Sequence, residues 1–250
     1  MIELKSTRDR EKMRRAGRVV AEVLEILRRS VRAGIPTREL DQIADQEIRE
    51  RGGIPVFKGY HGYPASVCVS INDQVVHGIP GNRVIQPGDL VSIDLGAIVD
   101  GFVGDAAFSM FVDHPPNKRA EELLRVTEAS LYKGIEKAQA GARLGDIGAA
   151  VQEFVESHGF SVVRDFVGHG VGRQMHEEPQ VPNYGTAGRG LLLKPGLAIA
   201  IEPMVNLGQQ YVQVGADGWT VTTRDHSLSA HFEHTIFIDE DGPEILTAIS

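Results

Sequence analysis

The sequence predicts an α+β protein in which two helices followed by strands occur twice along the chain. Three observations carry this prediction: apolar residues recur at helical spacing in residues 8–52, β-branched residues alternate with others from Val67 to Phe111, and the same change from helices to strands follows after Asn117. Spacings of three and four residues are typical of an amphipathic helix, whereas a period of two is typical of a strand. Both halves therefore share one predicted order of elements.

The first predicted helix covers residues 8–32. Its apolar positions recur at helical spacing: Met13, Ala16, Val20, Val23, Leu24 and Leu27. Ser6 or Thr7 can cap its start, because a hydroxyl oxygen accepts a hydrogen bond from the free backbone N–H groups there. Gly34 and Pro36 are predicted to end it, since glycine accepts the left-handed conformation and proline cannot continue a helix.

Three further helices follow from the same spacing. Residues 37–51 predict a shorter helix, residues 117–139 a long one, and residues 144–158 a last one. Glycines are expected to end the second and fourth helices, at Gly52 and Gly159, by the same left-handed conformation.

The second half of the chain aligns with the first without a gap. Ala33 and Ala140 occupy matching positions at an offset of 107 residues (140 − 33 = 107), and a glycine follows each of them. A repeat of this length predicts two similar halves, about 1–112 and 113–250, with a cleft where they meet. No linker-like tract separates the halves, so residues 1–250 are predicted to form a single domain.

The composition bounds the possible partners. The chain has a formal net charge of −8 at pH 7, 42% hydrophobic residues and a single cysteine, Cys68. The negative charge argues against nucleic-acid and membrane partners, which select basic patches. One cysteine excludes an intrachain disulfide and a thiolate metal cluster. There is no signal-peptide pattern and no apolar run of ~18 residues, so we predict a cytoplasmic protein, and we expect a monomer.

The first helix is locally rich in arginine. Glu11, Glu22 and Glu25 dilute its positive charge, so we interpret the helix as having a solvated charged face. The alternative is a docking surface for ribosomal RNA, which would make the ribosome a partner.

Residues 91–111 predict a β-hairpin with the two-residue turn Asp100-Gly101. Paired positions then sum to 201, so Asp94 lies opposite Ala107, and Asp105 is a diagonal neighbour on the same face, about 7–8 Å away. The other residues of this face are small and leave a hollow for a cation. An acid/base pair, a clamp for a substrate amine and two solvent-exposed aspartates are the alternatives. Because aspartate is depleted in strands, we favour a functional role.

The second half contributes a histidine and two glutamates. His169 lies among three glycines, which let the backbone approach a ligand closely, and His176 follows seven residues later. Glu202 ends an apolar run, and Glu233 lies within strand-like sequence. A buried carboxylate must be paired or ligated, so each glutamate predicts either a buried salt bridge or a ligand. Few lysines or arginines lie near them in sequence.

Together these positions form an oxygen-rich donor set: Asp94, Asp105, His169, Glu202 and Glu233. Such a set fits Mn²⁺, Fe²⁺, Co²⁺ or Zn²⁺ better than copper or an iron–sulfur centre, and it does not choose among the four. Two ions about 3.5–4 Å apart are the usual device for hydrolysis with these ligands.

The five positions resemble, in order and framing, the metal ligands of the pita-bread metallopeptidases. The framing segments are Ser-Ile-Asp-Leu-Gly at 92–96, Gly-Asp-Ala-Ala at 104–107, Gly-His-Gly-Val-Gly at 168–172, Ile-Glu-Pro-Met at 201–204 and Phe-Glu-His-Thr at 232–235. Segments around Tyr60, His77 and His176 are similar to those of the methionine aminopeptidases. The resemblance implies the pita-bread (creatinase/aminopeptidase) fold, in which two pseudo-symmetric halves surround a central antiparallel sheet in a single catalytic domain.

The expected subclass is the short bacterial type I form. Only 33 positions separate His169 from Glu202 (202 − 169 = 33), too few for the helical insert of the type II enzymes. The beginning of the chain also lacks the N-terminal domain of proline-peptide-cleaving relatives and the zinc-binding extension of eukaryotic type I enzymes.

The resemblance implies a metallo-exopeptidase that removes the initiator methionine from nascent proteins and prefers a small second residue. Two divalent ions (cobalt, manganese, iron or zinc) would be held by the five ligands, with Asp105 and Glu233 bridging them, and a hydroxide between the ions would attack the peptide. Glu202 would act as the general base. His77 would contact the nitrogen of the scissile peptide, and His176 would contact its carbonyl oxygen.

The same resemblance implies the substrate-binding residues: Tyr60, His61, Tyr63, Cys68, His77, Met175, His176 and Trp219. Met175 is a departure, because some members have an aromatic residue there, and it bears on the shape of the methionine pocket. Asn72 and Ser229 resemble a site for a monovalent cation.

Two alternatives stay open. One is an Xaa-Pro-type peptidase of the same fold, which the pocket residues and the length of the chain disfavour. The other is a non-catalytic pita-bread binding protein, which the presence of all five ligands disfavours, because such relatives usually lose them.

Overall fold

A computed structural model describes residues 2–248 of the chain. Within this range the chain forms four α-helices, in the order that the apolar spacing predicts. They are α1 (Thr7–Ser30), α2 (Thr37–Glu50), α3 (Lys118–Lys137) and α4 (Leu144–Ser157). None of these helices is both long and apolar enough to cross a membrane.

The first helix begins as predicted and ends earlier. Ser6 and Asp9 form a reciprocal capping box, so Ser6 rather than Thr7 is the cap. The helix stops at Ser30 instead of continuing to the predicted boundary before Gly34. Gly34 does adopt a left-handed conformation (φ +90°), but it belongs to the following turn, where its N–H donates to the Ile85 carbonyl at 2.9 Å. The predicted helix end at residue 32 was therefore two residues too late.

Fifteen strands lie between and after the helices of the described residues. They are β1 (Ile54–Pro55), β2 (Cys68–Ile71), β3 (Gln74–Val76), β4 (Leu90–Val99), β5 (Phe102–Phe111), β6 (Ser161–Val162), β7 (Gly168–Gly170), β8 (Glu177–Val181), β9 (Ala198–Ile201), β10 (Met204–Asn206), β11 (Val212–Val214), β12 (Val221–Thr223), β13 (Ser229–His231), β14 (Glu233–Asp239) and β15 (Gly242–Ile245). A short 3₁₀ turn, Tyr60–Gly62, follows β1.

Nine strands form one antiparallel sheet at the centre of the molecule. Seven of them lie in the order β1-β4-β5-β14-β9-β7-β8, while β2 also pairs with β4 and β15 with β14. Strands of both halves of the chain thus share this sheet. The α+β architecture with a central antiparallel sheet is confirmed.

The predicted hairpin has the predicted register. Val99 pairs with Phe102 and Asp94 with Ala107, so the paired positions of β4 and β5 sum to 201. Asp100 (φ 51°) and Gly101 (φ 78°) both have positive φ, which is what a two-residue type I′ turn requires. The turn therefore sets the register of both strands, and the register sets which side chains share a face.

Helix α1 packs on β4 and β5 and covers one face of this hairpin. The two backbones approach so closely that a Cβ atom added to Gly104 would lie 2.7 Å from the Gly17 nitrogen. The apolar core lies on this face and includes Val20, Leu27, Ile93, Leu95 and Phe108. Asp94 and Asp105 lie on the opposite face of the sheet, where they line the site cavity.

Two smaller sheets flank the central one. One has the order β13-β10-β6, and the other has the order β11-β12-β3. The second sheet carries two residues of the site, because β3 leads directly into His77 and the loop between β11 and β12 contains Trp219. It therefore supplies a wall that the central sheet does not.

Candidate active site

One cavity gathers most of the predicted site residues. Its lining consists of Phe57, Tyr60, Tyr63, Cys68, His77, Asp94, Asp105, His169, Met175, His176, Glu202, Trp219 and Glu233. All five predicted metal ligands are among these residues, together with seven of the eight predicted substrate-binding residues. The cavity therefore combines an acidic floor with an aromatic and sulfur-containing wall.

The register of the central sheet aligns the acidic floor. Asp94 on β4 pairs with Cys68 on one side and with Ala107 on the other, and Ala107 pairs in turn with Glu233 on β14. These four residues form a row across four strands. Asp105 precedes Ala107 by two residues, so its side chain leaves the same face of the sheet. Antiparallel pairing alone thus gathers three carboxylates from two distant parts of the chain.

The remaining two groups come from neighbouring strands. Strand β14 pairs with β9 so that His234 lies opposite Ile201, and Glu202 follows immediately at the end of β9. His169, on β7, places its Nε2 atom 3.5 Å from Glu202 Oε1 and 3.9 Å from Asp105 Oδ2. Ligand atoms of Asp105, His169 and Glu233 all lie within 4.8 Å of one another. These distances suit several donors around a shared cation.

The carboxylates are buried without matching positive charges. Asp94 Oδ1, Asp105 Oδ1 and Glu233 Oε1 have no hydrogen-bond partner within the described residues. Over the same residues, the ion-pair partners found within 4.0 Å of the five-group cluster are histidines rather than lysines or arginines. The alternative of a buried salt bridge at the glutamates therefore has no lysine or arginine partner among residues 2–248. Burying an unpaired carboxylate costs free energy, so the cluster is suited to bind a cation that supplies the positive charge.

Burial raises the pKa of every carboxylate in the cluster. Desolvation is the largest cause for Asp94, Glu202 and Glu233, whose pKa values rise well above the ordinary range, and repulsion from neighbouring carboxylates adds to it. Burial raises the pKa of Asp105 to about 7. A divalent cation would reverse this effect, because it favours the ionised form of each oxygen donor. The donor set fits such an ion.

His169 is oriented as a ligand. Burial and the neighbouring His176 lower its pKa to about 3, so the imidazole is neutral at pH 7. Its Nδ1 lies 3.0 Å from the Gly170 carbonyl oxygen, to which the Nδ1–H group donates. The unprotonated Nε2 atom is therefore the one that faces Glu202 and Asp105, which is the arrangement that metal-binding histidines use.

Two further histidines line the cavity above the acidic floor. His176 packs edge-on against His169 with ring centroids 4.3 Å apart, and its Nδ1 lies 2.7 Å from the Tyr60 hydroxyl. His77 lies in a left-handed conformation (φ 59°), and burial lowers its pKa to about 4. Both rings are neutral donors or acceptors at pH 7, because burial also lowers the pKa of His176.

The aromatic wall is held by contacts among its own members. The Tyr63 hydroxyl donates to the Gly78 carbonyl at 3.0 Å, which fixes the ring. The Trp219 indole packs edge-on against the Tyr63 ring, with ring centroids 5.1 Å apart. The Phe57 ring also packs edge-on against Tyr63, with ring centroids 6.5 Å apart. With the buried Met175 these rings form an apolar pocket beside the carboxylates.

Three predicted site residues lie outside the cavity lining. His61 is exposed at the surface, where its ring lies 4.4 Å from that of Tyr60. Asn72 and Ser229 are neighbours, because the Ser229 N–H donates to the Asn72 carbonyl at 2.9 Å. The Asn72 amide is already engaged with Asp89, at 2.8 Å. A substrate contact for His61 and a cation site at the other two stay predictions.

Sequence reasoning missed two residues of the site. Phe57 lines the cavity, and nothing in its sequence context marks it. His231 is buried, its Nε2 has no hydrogen-bond partner among residues 2–248, and this atom lies 3.9 Å from Glu202 Oε2. Burial lowers the pKa of His231 to about 3. The sequence offered one signal for His231, because it stands two residues before Glu233 in strand-like sequence, although the structure places the two residues on different strands, β13 and β14.

Three comparisons with known proteins agree on one family of metallopeptidases. A family model described as Metallopeptidase family M24 matches residues 11–240. A methionine aminopeptidase from Clostridium perfringens is 52% identical over 249 residues, which is 100% of each chain. The crystal structure of methionine aminopeptidase from Thermotoga maritima has a TM-score of 0.98 at 47% identity, again over 100% of each chain. Prolidase from Pyrococcus furiosus has a TM-score of 0.79 at 22% identity, and only 66% of that chain is covered, so it shows the fold alone.

Proposed function

The chain belongs to metallopeptidase family M24, and we propose that its cavity removes the N-terminal methionine from nascent polypeptides, as a type I methionine aminopeptidase does. One observation carries this proposal: the buried cluster of carboxylates and histidine opens directly into an apolar pocket of aromatic and sulfur-containing side chains. The cluster suits hydrolysis, and the adjoining pocket suits a flexible thioether side chain. Full-length similarity to methionine aminopeptidases supports the same conclusion.

We propose that the cluster holds two divalent ions. The residues that would hold them are Asp94, Asp105, His169, Glu202 and Glu233. When bound, such ions polarise the scissile carbonyl and lower the pKa of a water molecule. The buried oxygens of Asp94, Asp105 and Glu233 support this use, because these residues line the cavity and the oxygens have no hydrogen-bond partner among residues 2–248. Cobalt, manganese, iron and zinc are all compatible with this donor set.

Glu202 is proposed as the general base. Its carboxylate lies between His169, at 3.5 Å, and His231, at 3.9 Å, on the cavity floor. From there it can accept the proton of the attacking water and pass it to the amine that leaves.

His176 and His77 are proposed to contact the reacting peptide. The Tyr60 hydroxyl occupies His176 Nδ1 at 2.7 Å, so we assign the other nitrogen as the N–H donor toward the substrate carbonyl oxygen. A donor placed there stabilises the negative charge that develops during attack. His77 is proposed to meet the nitrogen of the scissile bond. Its ring lies 6.3 Å from Trp219, at the junction of the aromatic wall and the cavity floor.

The proposed methionine pocket uses the aromatic wall and two sulfur-containing side chains. Its members are Tyr60, Tyr63, Cys68, His77, Met175, His176 and Trp219, with His61 proposed at the rim. The nearby acidic floor would also attract the free amino group of the peptide. Such an apolar pocket would disfavour a charged first residue, and we propose that a small second residue is preferred.

We propose further that residues 1–250 are a single catalytic domain with halves of about 1–112 and 113–250. The offset of 107 residues supports this: it carries α2, Thr37–Glu50, onto α4, Leu144–Ser157, with both ends matching (37 + 107 = 144 and 50 + 107 = 157). A cytoplasmic, monomeric enzyme acting near the ribosome, with Asn72 and Ser229 at a monovalent-cation site, completes the proposal.

Peptide hydrolysis tests this function directly. Purified protein loaded in turn with each candidate divalent ion should release methionine from Met-Ala-Ser and leave an Xaa-Pro peptide intact. Metal analysis should find two divalent ions per chain. Cleavage of the Xaa-Pro peptide instead would favour the prolidase-type alternative. No hydrolysis of either peptide by protein that has bound metal would favour the non-catalytic binding protein and end the proposal.

A further inference from the structure

The loop between β11 and β12 carries the single tryptophan of the chain. Trp219 lines the cavity, where its indole meets the Tyr63 ring at 5.1 Å and the His77 ring at 6.3 Å. The rest of the loop is turned to solvent: Ala216, Asp217 and Gly218 are all exposed. Packing alone therefore does not hold the backbone that presents the indole.

A single carboxylate holds this backbone instead. Asp217 Oδ1 accepts hydrogen bonds from the N–H groups of Trp219 and Thr220, both at 2.8 Å, and Oδ2 accepts from the Thr220 hydroxyl at 2.6 Å. The Gly215 N–H closes the loop by donating to the Thr220 carbonyl at 2.7 Å. These bonds lower the pKa of Asp217, the Thr220 hydroxyl contributing most, so the group is ionised at pH 7.

Strand pairing also fixes the loop relative to His77, which faces the indole across the cavity. Thr220 is buried and leads into β12, whose Val221 pairs with Val76 at the end of β3. The next residue after Val76 is His77. The position of the Trp219 backbone relative to His77 is therefore set by one short sheet and by the carboxylate at its turn.

We infer that Asp217 is a positioning residue for methionine selectivity, and this inference rests on the proposed function. Asp217 does not reach the cavity itself. By holding the Trp219 backbone it keeps the indole against Tyr63 before substrate arrives, so that the pocket is preformed. A loop that must instead be ordered at each binding event weakens binding without changing the chemical step. Loss of Asp217 should thus raise KM and leave kcat in place.

The chain offers a matched control at Asp225. Asp225 Oδ2 accepts from the Gln209 N–H at 2.7 Å, and Oδ1 accepts from the Ser227 N–H at 3.1 Å, so it stabilises a nearby exposed turn by similar bonds. That turn supplies none of the cavity-lining residues within the described part of the chain. Asp225→Ala therefore removes a comparable turn carboxylate from the same region without touching the pocket.

The first measurement compares steady-state kinetics of the metal-loaded, full-length enzyme and its variants. For Asp217→Ala we expect KM for Met-Ala-Ser to rise about threefold to tenfold, with kcat within about twofold, and the preference over Leu-Ala-Ser to fall. Asp217→Asn keeps an oxygen for both N–H groups and should restore KM to within about twofold. Thr220→Val removes only one of the three hydrogen bonds, so its KM should lie between those of the wild type and Asp217→Ala. Asp225→Ala should match the wild type.

The second measurement does not need catalysis. Because Trp219 is the only tryptophan, its fluorescence reports the indole alone. In Asp217→Ala we expect emission at longer wavelength and stronger quenching by acrylamide, and added L-methionine should protect the indole less than in the wild type. Circular dichroism melting checks that each variant is folded, and Asp217→Asn and Thr220→Val keep the test usable if Asp217→Ala does not fold.

The outcomes are distinguishable. Wild-type KM and wild-type quenching in a folded Asp217→Ala variant would overturn the inference, and so would an equal rise in KM for Asp225→Ala. If the wild type does not cleave Met-Ala-Ser, the proposed function fails. In that case the fluorescence comparison still decides whether Asp217 holds the indole.

Discussion

The two faces of the central sheet are built from the same strands and have opposite properties. On the face under α1, Ile93, Leu95 and Phe108 are buried in a continuous apolar core. On the other face, Asp94 and Asp105 carry buried oxygens, and each has one without a partner within residues 2–248. Alternation along β4 and β5 produces both faces at once, because successive side chains point to opposite sides.

The difference separates stability from chemistry. Burial of apolar side chains under the helix favours folding, whereas burial of carboxylates without partners opposes it. The helix face must therefore supply the free energy that offsets the cost of the acidic face. Changes to one face should alter activity and spare stability, and changes to the other should do the reverse. Substitutions on each face test this expectation, because activity and stability can be measured on the same variant.

The largest effect is expected on the acidic face. Glu233→Ala and Asp105→Ala each remove a carboxylate from the cluster, and we expect kcat/KM for Met-Ala-Ser to fall at least about 1,000-fold, the upper range for losing one preorganised electrostatic group. The metal content of the purified variants should also fall. In the metal-free state, however, melting temperatures should stay equal or rise, because a buried group that opposes folding is gone.

A matched control lies further along β14. Asp239 ends the same strand and forms an ion pair with Arg10 away from the cavity. Asp239→Ala should keep wild-type metal content and activity. If Glu233→Ala and Asp105→Ala retained full peptidase activity, the assignment of the metal ligands would be wrong.

The second effect is a dependence of stability on pH. In the metal-free protein burial raises the pKa of Asp105 from its ordinary value of 3.8 to about 7. The folded state therefore holds a proton that the unfolded state has lost, and stability falls as pH rises from about 4 to 7. Asp105→Asn lacks this proton. Its free energy of unfolding, relative to the wild type, should therefore grow as pH rises across that range; each unit of pKa difference corresponds to roughly 1.4 kcal/mol.

Urea unfolding of both chelator-treated proteins at several pH values measures this difference. The buried histidines act in the opposite direction. Because burial lowers the pKa of His169 to about 3, the free energy of unfolding decreases as pH falls below about 6.5, the pKa of this histidine in the unfolded state. Because both proteins contain these histidines, their contribution cancels in the comparison. A difference that shrinks between pH 4 and 7 would contradict the raised pKa of Asp105.

The two faces also differ in how far the sequence alone could predict them. The first hairpin was predicted in full, because its turn residues and the local alternation fix register within one short segment. The sequence was therefore enough to place Asp94 and Asp105 on one face. Local chemistry was sufficient there, since strand pairing across a two-residue turn leaves no freedom in the alignment.

The second half of the site could not be predicted in this way. Ala107 and Glu233 pair across 126 residues of chain (233 − 107 = 126), and nothing near either residue specifies that partner. The chemistry of their side chains grouped His169, Glu202 and Glu233 with the hairpin as one donor set, but the sequence specified no pairing that would bring them together. His231 was missed for a related reason: an imidazole in an apolar strand has many structural uses, and only the fold brings its Nε2 within 3.9 Å of Glu202.

The third effect belongs to the helix face. Leu27 is fully buried in the core under α1. Leu27→Ala should lower the free energy of unfolding by about 3 kcal/mol, since deletion of buried methyl groups leaves a cavity that relaxes only in part. We expect kcat/KM and metal content at 25 °C to remain unchanged. Urea unfolding and peptide hydrolysis of the same sample test both halves of this expectation, and a loss of activity in fully folded protein would show that the two faces are not independent.

The smallest effect is at the start of α1, where the sequence alone left two caps possible. Ser6 Oγ lies 3.2 Å from the Asp9 nitrogen, from which it accepts, and 2.6 Å from Asp9 Oδ2, to which it donates. Ser6→Ala should therefore cost about 1 kcal/mol of stability, the usual value of a helix cap. Thr7→Ala, one residue later and outside the capping box, should cost less than about 0.5 kcal/mol. Because α1 covers only the apolar face, neither change should alter kcat/KM. Equal losses for the two variants would mean that the cap is shared rather than carried by Ser6.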